Sequence, residues 1–149
     1  MEFVLTPPTA PPAPTPDGLA ALHHVGITVS DLERSVRWYE EKLGMVQWMK
    51  ESFPGGRTAG MMRPGTGVHL GLTQHDSGTG EEFAPQRTGL DHLTFAAGSL
   101  DELHGWRGHL ASLGVECSEV REYKEPIVFA LFTFTDPDGV ALEVMHIAG

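Results

Sequence analysis

An internal repeat is the feature that most constrains the fold of this chain. The segment at 22–30, LHHVGITVS, can be laid over the segment at 90–99, LDHLTFAAGS. In both copies an apolar, strand-like run is followed by a helical pattern that stops at a Leu-Gly pair. Self-similarity of this kind means that one supersecondary unit is used twice. The sequence therefore predicts two tandem modules of the same fold.

Each predicted helix carries matching start and stop signals. Both begin with the capping pattern Ser-x-x-Glu, at Ser30–Glu33 and at Ser99–Glu102, in which serine and glutamate satisfy unpaired backbone N–H groups. Both end before a glycine, Gly44 or Gly114, a residue that suits the left-handed position after a helix. Apolar residues recur at helical spacing between these limits, so each helix is expected to cover a sheet.

Three further strand candidates follow each helix, separated by glycine and proline turns. They lie at about 45–52, 57–63 and 67–74, then at about 115–123, 127–135 and 140–146. Each module is therefore predicted as βαβββ. Module 1 is placed at about 21–75, a polar linker at about 76–88 and module 2 at about 89–147, within one domain at 21–149. The predicted class is α+β, a curved mixed sheet that encloses a cavity and carries its helices on the outside.

Alternation along the predicted strands separates a buried face from an open one, because successive strand residues point to opposite sides. Val25, Ile27 and Val29 form an apolar face, and the matching positions of the second copy are apolar too. The opposite face carries His24, Gly26, Thr28, His69, Gly71, Thr73, His92, Thr94, Ala96, Ala141, Glu143 and Met145. Small and polar side chains there predict an open cavity.

Three residues of the open face offer metal-binding groups. His24 and His92 hold matching places in the two copies, and Glu143 lies on the final predicted strand. Two imidazoles and a carboxylate form a ligand set that holds one divalent ion such as Fe(II), Mn(II) or Zn(II). Each residue alone has a plainer interpretation, as a hydrogen-bonded strand histidine or an ion-paired carboxylate. Together and in register they favour a metal site, since a lone carboxylate between apolar neighbours would be costly.

The repeat and two motifs resemble one known family. The βαβββ units, the opening HVGITVSD at 24–31 and the ending DPDG-x-x-x-E at 136–143 are similar to the vicinal oxygen chelate superfamily, over about residues 21–147. That family includes glyoxalases, methylmalonyl-CoA epimerases, extradiol dioxygenases, fosfomycin-modifying enzymes and bleomycin-binding proteins. The resemblance implies that His24, His92 and Glu143 ligate the metal. It also implies a homodimer, in which exchanged modules can bring His24 of one chain to His92 and Glu143 of the other.

The family's fourth ligand position falls on Gly71, which has no ligating atom. Glyoxalases and related epimerases typically place Glu or Gln there, where a carboxylate can also shuttle a proton. Three protein ligands leave room for a bidentate substrate and oxygen, so dioxygenase-type chemistry on a small, oxygen-chelating, partly hydrophobic substrate is favoured. A glyoxalase-like lyase or isomerase is the alternative. Thr133 stands where ring-cleaving enzymes usually carry tyrosine, which argues against an ordinary catechol dioxygenase. His69 is the candidate acid or base on the cavity face.

A second hypothesis is a metal-free protein, similar to bleomycin-resistance proteins, that sequesters a hydrophobic metabolite or drug. Proteins of one such fold carry out several chemistries, so the fold alone does not distinguish a metal-dependent enzyme from a metal-free binding protein. The two hypotheses differ in what they require of His24, His92 and Glu143. A metal-dependent enzyme needs all three residues, whereas a binding protein would keep its ligand affinity without any one of them.

Composition limits the partners and the compartment. The chain has 149 residues, 40% of them hydrophobic, which is enough for one compact core. A net charge of −10 argues against nucleic acid or an anionic membrane as a partner, and no run is apolar enough to span a membrane. The lone Cys117 cannot form an internal disulfide, and with no export signal a cytoplasmic protein is expected. The proline-rich stretch at 1–20 is predicted to be a disordered arm.

Overall fold

The computed structural model describes Ala10, residues 13–19 and residues 21–149. The proline-rich arm predicted at 1–20 falls largely outside the described residues. In chain order the elements are β1 (Val25–Thr28), α1 (Leu32–Leu43), β2 (Val46–Phe53), β3 (Gly56–Met62), β4 (His69–His75), β5 (Leu93–Ala96), α2 (Leu100–Ser112), β6 (Arg121–Tyr123), β7 (Phe129–Thr135) and β8 (Ala141–Ile147). They form two successive βαβββ modules, which confirms the predicted α+β class and the tandem repeat.

The two modules repeat the same sheet topology. The first sheet has the order β1-β4-β3-β2 and the second has the order β5-β8-β7-β6. In each, the first strand runs parallel to the last strand of its module and the other neighbours are antiparallel. Both sheets are therefore mixed, as expected. Within the described chain no strand of one sheet pairs with a strand of the other, so the expected shared sheet is realised as two sheets.

Module 2 departs from the predicted strand limits at its second strand. A strand was expected from about residue 115, yet β6 covers only Arg121–Tyr123. The preceding segment does run beside β7, where Ser118 N–H donates to the carbonyl of Thr133 at 2.9 Å. In return, the Thr133 N–H donates to the hydroxyl of Ser118 at 2.9 Å. A side chain thus replaces the backbone acceptor that a regular ladder would use.

The helix caps confirm one predicted start and correct the other. Ser99 caps α2, where its side chain accepts from Glu102 N–H at 3.1 Å. The cap of α1 is Asp31 rather than Ser30, since the Asp31 carboxylate accepts from Arg34 N–H at 3.0 Å. The predicted box at Ser30–Glu33 is therefore wrong. Gly44 and Gly114 end the helices with φ of 63° and 79°, the left-handed conformation that favours glycine.

A single hydrophobic core joins the modules through their helix-bearing sides. Tyr39 of α1 is fully buried, and its hydroxyl donates to the carboxylate of Asp136 in module 2 at 3.0 Å. Trp38 stacks on Phe134 beside this bond. Burial is the main cause that raises the pKa of Asp136, and it raises the pKa of Tyr39 as well. The phenol therefore stays protonated and serves as a hydrogen-bond donor.

Polar contacts at the edge of this core also hold module 1 against module 2. Ser30, displaced from its predicted capping role, donates its backbone N–H to Asp138 at 3.0 Å, and its hydroxyl bonds the same carboxylate. Arg34 adds an ion pair to Asp138 at 3.1 Å. At the far side, the guanidinium of Arg63 lies 4.9 Å over the ring of Trp106. Because the apolar sides of both sheets face this common core, their open faces point away from it.

Candidate metal and substrate site

The open face of the second sheet contains a hollow that holds two of the predicted ligands. His92 and Glu143 line it, together with Asp91, Cys117 and Thr133. Its volume is about 630 Å³, inside the range of about 300–1,000 Å³ typical of small-molecule sites. The hollow is open to solvent and mixes polar with apolar walls. Its size and lining suit a small molecule that carries both oxygen atoms and a hydrocarbon part.

His92 is held in one ring orientation by its sequence neighbour. Its Nδ1 lies 2.6 Å from a carboxylate oxygen of Asp91. Such a carboxylate commonly orients a metal-binding imidazole and raises its basicity. No hydrogen-bond partner within the described residues occupies Nε2, which is the atom left to ligate. His92 lies just before β5, and its side chain is half exposed at 50%.

Glu143 is the buried carboxylate of the site. Only 9% of the residue is exposed, and one carboxylate oxygen accepts from the hydroxyl of Thr94 at 3.0 Å on the neighbouring strand. Among the described residues, no lysine or arginine forms an ion pair with it. A buried carboxylate without a cation is costly. The donor chemistry therefore fits a metal ion that would supply the missing positive charge.

The open face of the first sheet carries a group of histidines. Nδ1 of His24 lies 2.9 Å from Nδ1 of His23, and the ring of His23 lies 5.7 Å from that of His69. Nδ1 of His69 is buried and lacks a hydrogen-bond partner within the described chain. A Cβ added to Gly71 would lie 3.7 Å from Cδ2 of His24. The position predicted to lack the fourth ligand therefore adjoins His24.

The structure does not gather the three predicted ligands within one chain. His92 and Glu143 share the hollow of the second sheet, whereas His24 belongs to the open face of the first sheet. In the part of the chain that the structure describes, no group of three or more His, Cys, Asp or Glu side chains is placed to hold a metal. Both faces point away from the common core. The residue types fit a divalent ion, but a single chain does not assemble them.

Three neighbours of the site, Asp91, Thr94 and Cys117, were given no role at the site by the sequence, although Thr94 was placed on the open face. Asp91 and Thr94 hold His92 and Glu143, and both lie within two residues of His92, where the repeat could have drawn attention to them. Cys117 lines the same hollow, but burial raises the pKa of its thiol. A thiol in that state is a poor nucleophile at neutral pH. Cys117 therefore lines the hollow, and the raised pKa gives no support for it as a nucleophile.

Comparison with known proteins establishes the family. The model of the Glyoxalase/Bleomycin resistance protein/Dioxygenase superfamily matches residues 21–144. The chain belongs to this superfamily. The resemblance found in the sequence motifs is thus confirmed. Members include enzymes and also proteins without enzymatic activity, so the reaction has to be argued from the site.

Individual relatives agree with this placement. The chain is 32% identical over 134 residues to the uncharacterized protein YwkD of Bacillus subtilis (strain 168), covering 85% of this chain and 96% of that protein. A glyoxylase/bleomycin resistance protein/dioxygenase domain from Frankia sp. EAN1pec superposes with a TM-score of 0.79 at 33% identity, over 88% of this chain and 100% of that one.

A glyoxalase I from Leishmania major shares the fold at a TM-score of 0.62 and 20% identity, over 85% of this chain and 86% of that one. This more distant likeness concerns the fold alone. In the described residues no helix has the length and apolar character needed to cross a membrane.

Proposed function

We propose that this protein is a divalent-metal-dependent enzyme that binds a small, partly hydrophobic substrate through two neighbouring oxygen atoms, with oxygenase-type chemistry. The observation that carries the proposal is Glu143, a buried carboxylate without a cation partner in the described chain, in the same hollow as His92. His24 completes a set of two histidines and one carboxylate. That set is typical of non-haem Fe(II) oxygenases and leaves coordination positions open. The ion would supply Lewis acidity and redox chemistry.

We further propose that the site is completed in a homodimer. His24 and the pair His92 and Glu143 belong to the open faces of two different sheets, and the described part of one chain does not gather them. Two copies can place the open face of a first sheet against that of a second sheet. His24 of one copy then joins His92 and Glu143 of the other. In a symmetric dimer this arrangement occurs twice.

The chain's own side chains have distinct roles in this proposal. Asp91 fixes the ring of His92, and Thr94 fixes one oxygen of Glu143. His69 is the proton carrier of the open face, since its buried Nδ1 has no partner in the described chain. Gly71 supplies no carboxylate to shuttle a proton. This absence favours oxygenase-type chemistry over the glyoxalase-like lyase or isomerase alternative.

The proposal is tested by metal loading followed by oxygen uptake. Purified protein, stripped of metal and treated anaerobically with Fe(II), is expected to retain about one ion per chain by elemental analysis, consistent with one ligand triad per chain. Oxygen consumption is expected with catechols or hydroxyketones, which present neighbouring oxygens. His92→Ala is expected to lose both properties. His104→Ala, an exposed histidine of α2, is the matched control and is expected to keep them.

A metal-free binding protein is the second candidate. It is favoured by one observation, that no three ligands are gathered within the described residues of a single chain. In that case Fe(II), Mn(II) and Zn(II) would all fail to bind. A hydrophobic ligand would bind wild type and His92→Ala with equal affinity. Retained metal in wild type and its loss in His92→Ala would contradict this candidate.

A further inference from the structure

A cavity lies between the two modules, and its volume is about 140 Å³. We call it the seam cavity, because both modules contribute to its wall. The apolar part of the wall is formed by Leu43, Met45 and Val68 of module 1 and by Phe95, Trp106 and Val144 of module 2. An apolar cavity of about 150 Å³ is large enough to bind benzene. The seam cavity therefore has room for one small ring or a branched chain of similar size.

Arg63 is the charged residue of this wall. It follows β3 and is half-buried. Its Nη1 donates to the carbonyl of Leu43 at 2.8 Å, and the guanidinium lies 4.9 Å from the centre of the Trp106 ring. Within the described residues no carboxylate pairs with it, and its Nε and Nη2 donate to no acceptor. A half-buried guanidinium with unoccupied donors favours an anion as the missing partner.

The rest of the wall offers no competing polar group. Thr66 also lines the cavity, but its hydroxyl donates to the carbonyl of Arg63 at 2.9 Å and accepts from the N–H of Val68 at 3.2 Å. That hydroxyl is therefore used within the turn. Among the described residues that line the cavity there is no Asp or Glu. A molecule in this space would meet hydrocarbon on most sides and one positive charge.

The second sheet separates the seam cavity from the hollow that holds His92 and Glu143. Thr94 lies opposite Glu143, and the next residues of the same two strands, Phe95 and Val144, lie opposite each other. Successive strand residues point to opposite faces of a sheet. Glu143 lines the hollow, whereas Phe95 and Val144 line the cavity. A molecule in the seam cavity therefore stays on the other side of the sheet from the candidate metal ligands.

We propose that the seam cavity is a second binding site, which takes a small apolar carboxylate about the size of benzoate. The hydrocarbon part fills the apolar space, and the carboxylate pairs with the unoccupied donors of Arg63. An unfilled apolar cavity costs stability, because its wall atoms lack contacts on one side. Binding restores those contacts in both modules and gives the guanidinium its anion. The inference is independent of the proposed function, since no metal ion takes part in this site.

The test compares benzoate with benzamide, which has nearly the same shape and no charge. Both are titrated by calorimetry into the full 149-residue chain after removal of metal, so that neither can bind through a metal ion. Benzoate is expected to bind with a Kd of about 1 mM or lower. It is expected to bind about tenfold more tightly than benzamide, because charge-assisted hydrogen bonds are roughly twice as strong as neutral ones. If another part of the chain filled the cavity, benzoate would fail to bind.

Arg63→Gln removes the charge but keeps a side chain that can donate to the carbonyl of Leu43. The preference for benzoate over benzamide is expected to fall to about twofold or less, since both ligands then form only neutral hydrogen bonds. Arg37→Gln is the matched control, because it makes the same change at an exposed arginine of α1 that does not line the cavity. It is expected to keep the full preference. Thermal unfolding checks that both variants are folded.

Val68→Phe is a second variant, which fills the cavity from its own wall. Filling a cavity commonly stabilises a protein, so this variant is expected to unfold at a temperature no lower than wild type. Both ligands are expected to lose at least about tenfold in affinity, because a close-packed interior leaves them no space. His92→Ala changes the hollow on the other side of the sheet. It is expected to bind benzoate as wild type does.

The proposal is overturned if benzoate does not bind the wild-type chain, or if benzoate and benzamide bind equally well. An unchanged preference in folded Arg63→Gln would show that this guanidinium does not recognise the carboxylate. Unchanged benzoate binding in Val68→Phe, or its loss in His92→Ala, would place the ligand outside the seam cavity and overturn the proposal as well. None of these results depends on metal binding, so the proposed function stands or fails separately.

Discussion

Replacing Glu143 by glutamine is expected to lower the affinity for Fe(II) or Zn(II) by about a hundredfold or more. Loss of a residue that only orients a ligand costs about 10- to 100-fold in metal affinity, and Glu143 is proposed as a direct ligand. The amide is neutral and a weaker donor to a divalent ion than a carboxylate. The fold is expected to survive, because the amide oxygen can still accept the hydrogen bond from Thr94.

Competition titration with a chromophoric chelator measures this loss, and thermal unfolding without metal checks that the variant is folded. Glu116→Gln is the matched control, since Glu116 lines the same hollow and is exposed. It is expected to bind metal as wild type does. A folded Glu143→Gln protein with unchanged affinity would show that this carboxylate is not a ligand.

Gly71→Glu is expected to tighten metal binding by about tenfold and to reduce oxygen uptake by at least about tenfold. The new Cβ would lie 3.7 Å from Cδ2 of His24 and 3.9 Å from Cα of Gly26, which are ordinary contacts. A carboxylate at this position can become a fourth protein ligand. It then occupies a coordination position that the substrate or oxygen would otherwise use. The variant is therefore expected to bind the metal more tightly and to consume oxygen more slowly.

Gly71→Leu separates ligation from crowding in this experiment. Leucine fills the same space as glutamate but offers no donor atom, so it is expected to reduce oxygen uptake without raising metal affinity. Both variants are compared by the same competition titration and oxygen electrode measurements. Equal metal affinity in Gly71→Glu and Gly71→Leu would contradict the position assigned to the metal beside His24.

The fold was predictable because local signals agree with each other in both copies of the repeat. Alternation around Ile27 places its side chain in the core and leaves His24 exposed, as the structure has it. The capping of α1 was mispredicted because Ser30 and Asp31 are both good capping residues. The choice between them depends on Asp138, a partner in the other module that takes Ser30 away from the helix. The residues around Ser30 do not reveal a contact with a residue so far away in the sequence.

The sequence could propose only the residue types of the candidate site. Motif spacing identified His24, His92 and Glu143 as candidates, but their separation onto two faces follows from how the modules pack. That packing depends on contacts such as Tyr39 with Asp136, which join residues of different modules.

Formation of the metal site between two copies of the chain is tested most directly by complementation. A His24→Ala chain and a Glu143→Gln chain are co-expressed with two different tags that do not bind metal, and the heterodimer is purified through both. Each parent homodimer lacks one ligand at both sites. The heterodimer regains one complete set, from His24 of one chain and His92 with Glu143 of the other. We expect about one metal ion per heterodimer, about two per wild-type dimer and almost none in either parent, as symmetry requires. A heterodimer with no more metal than its parents would contradict a site shared between chains.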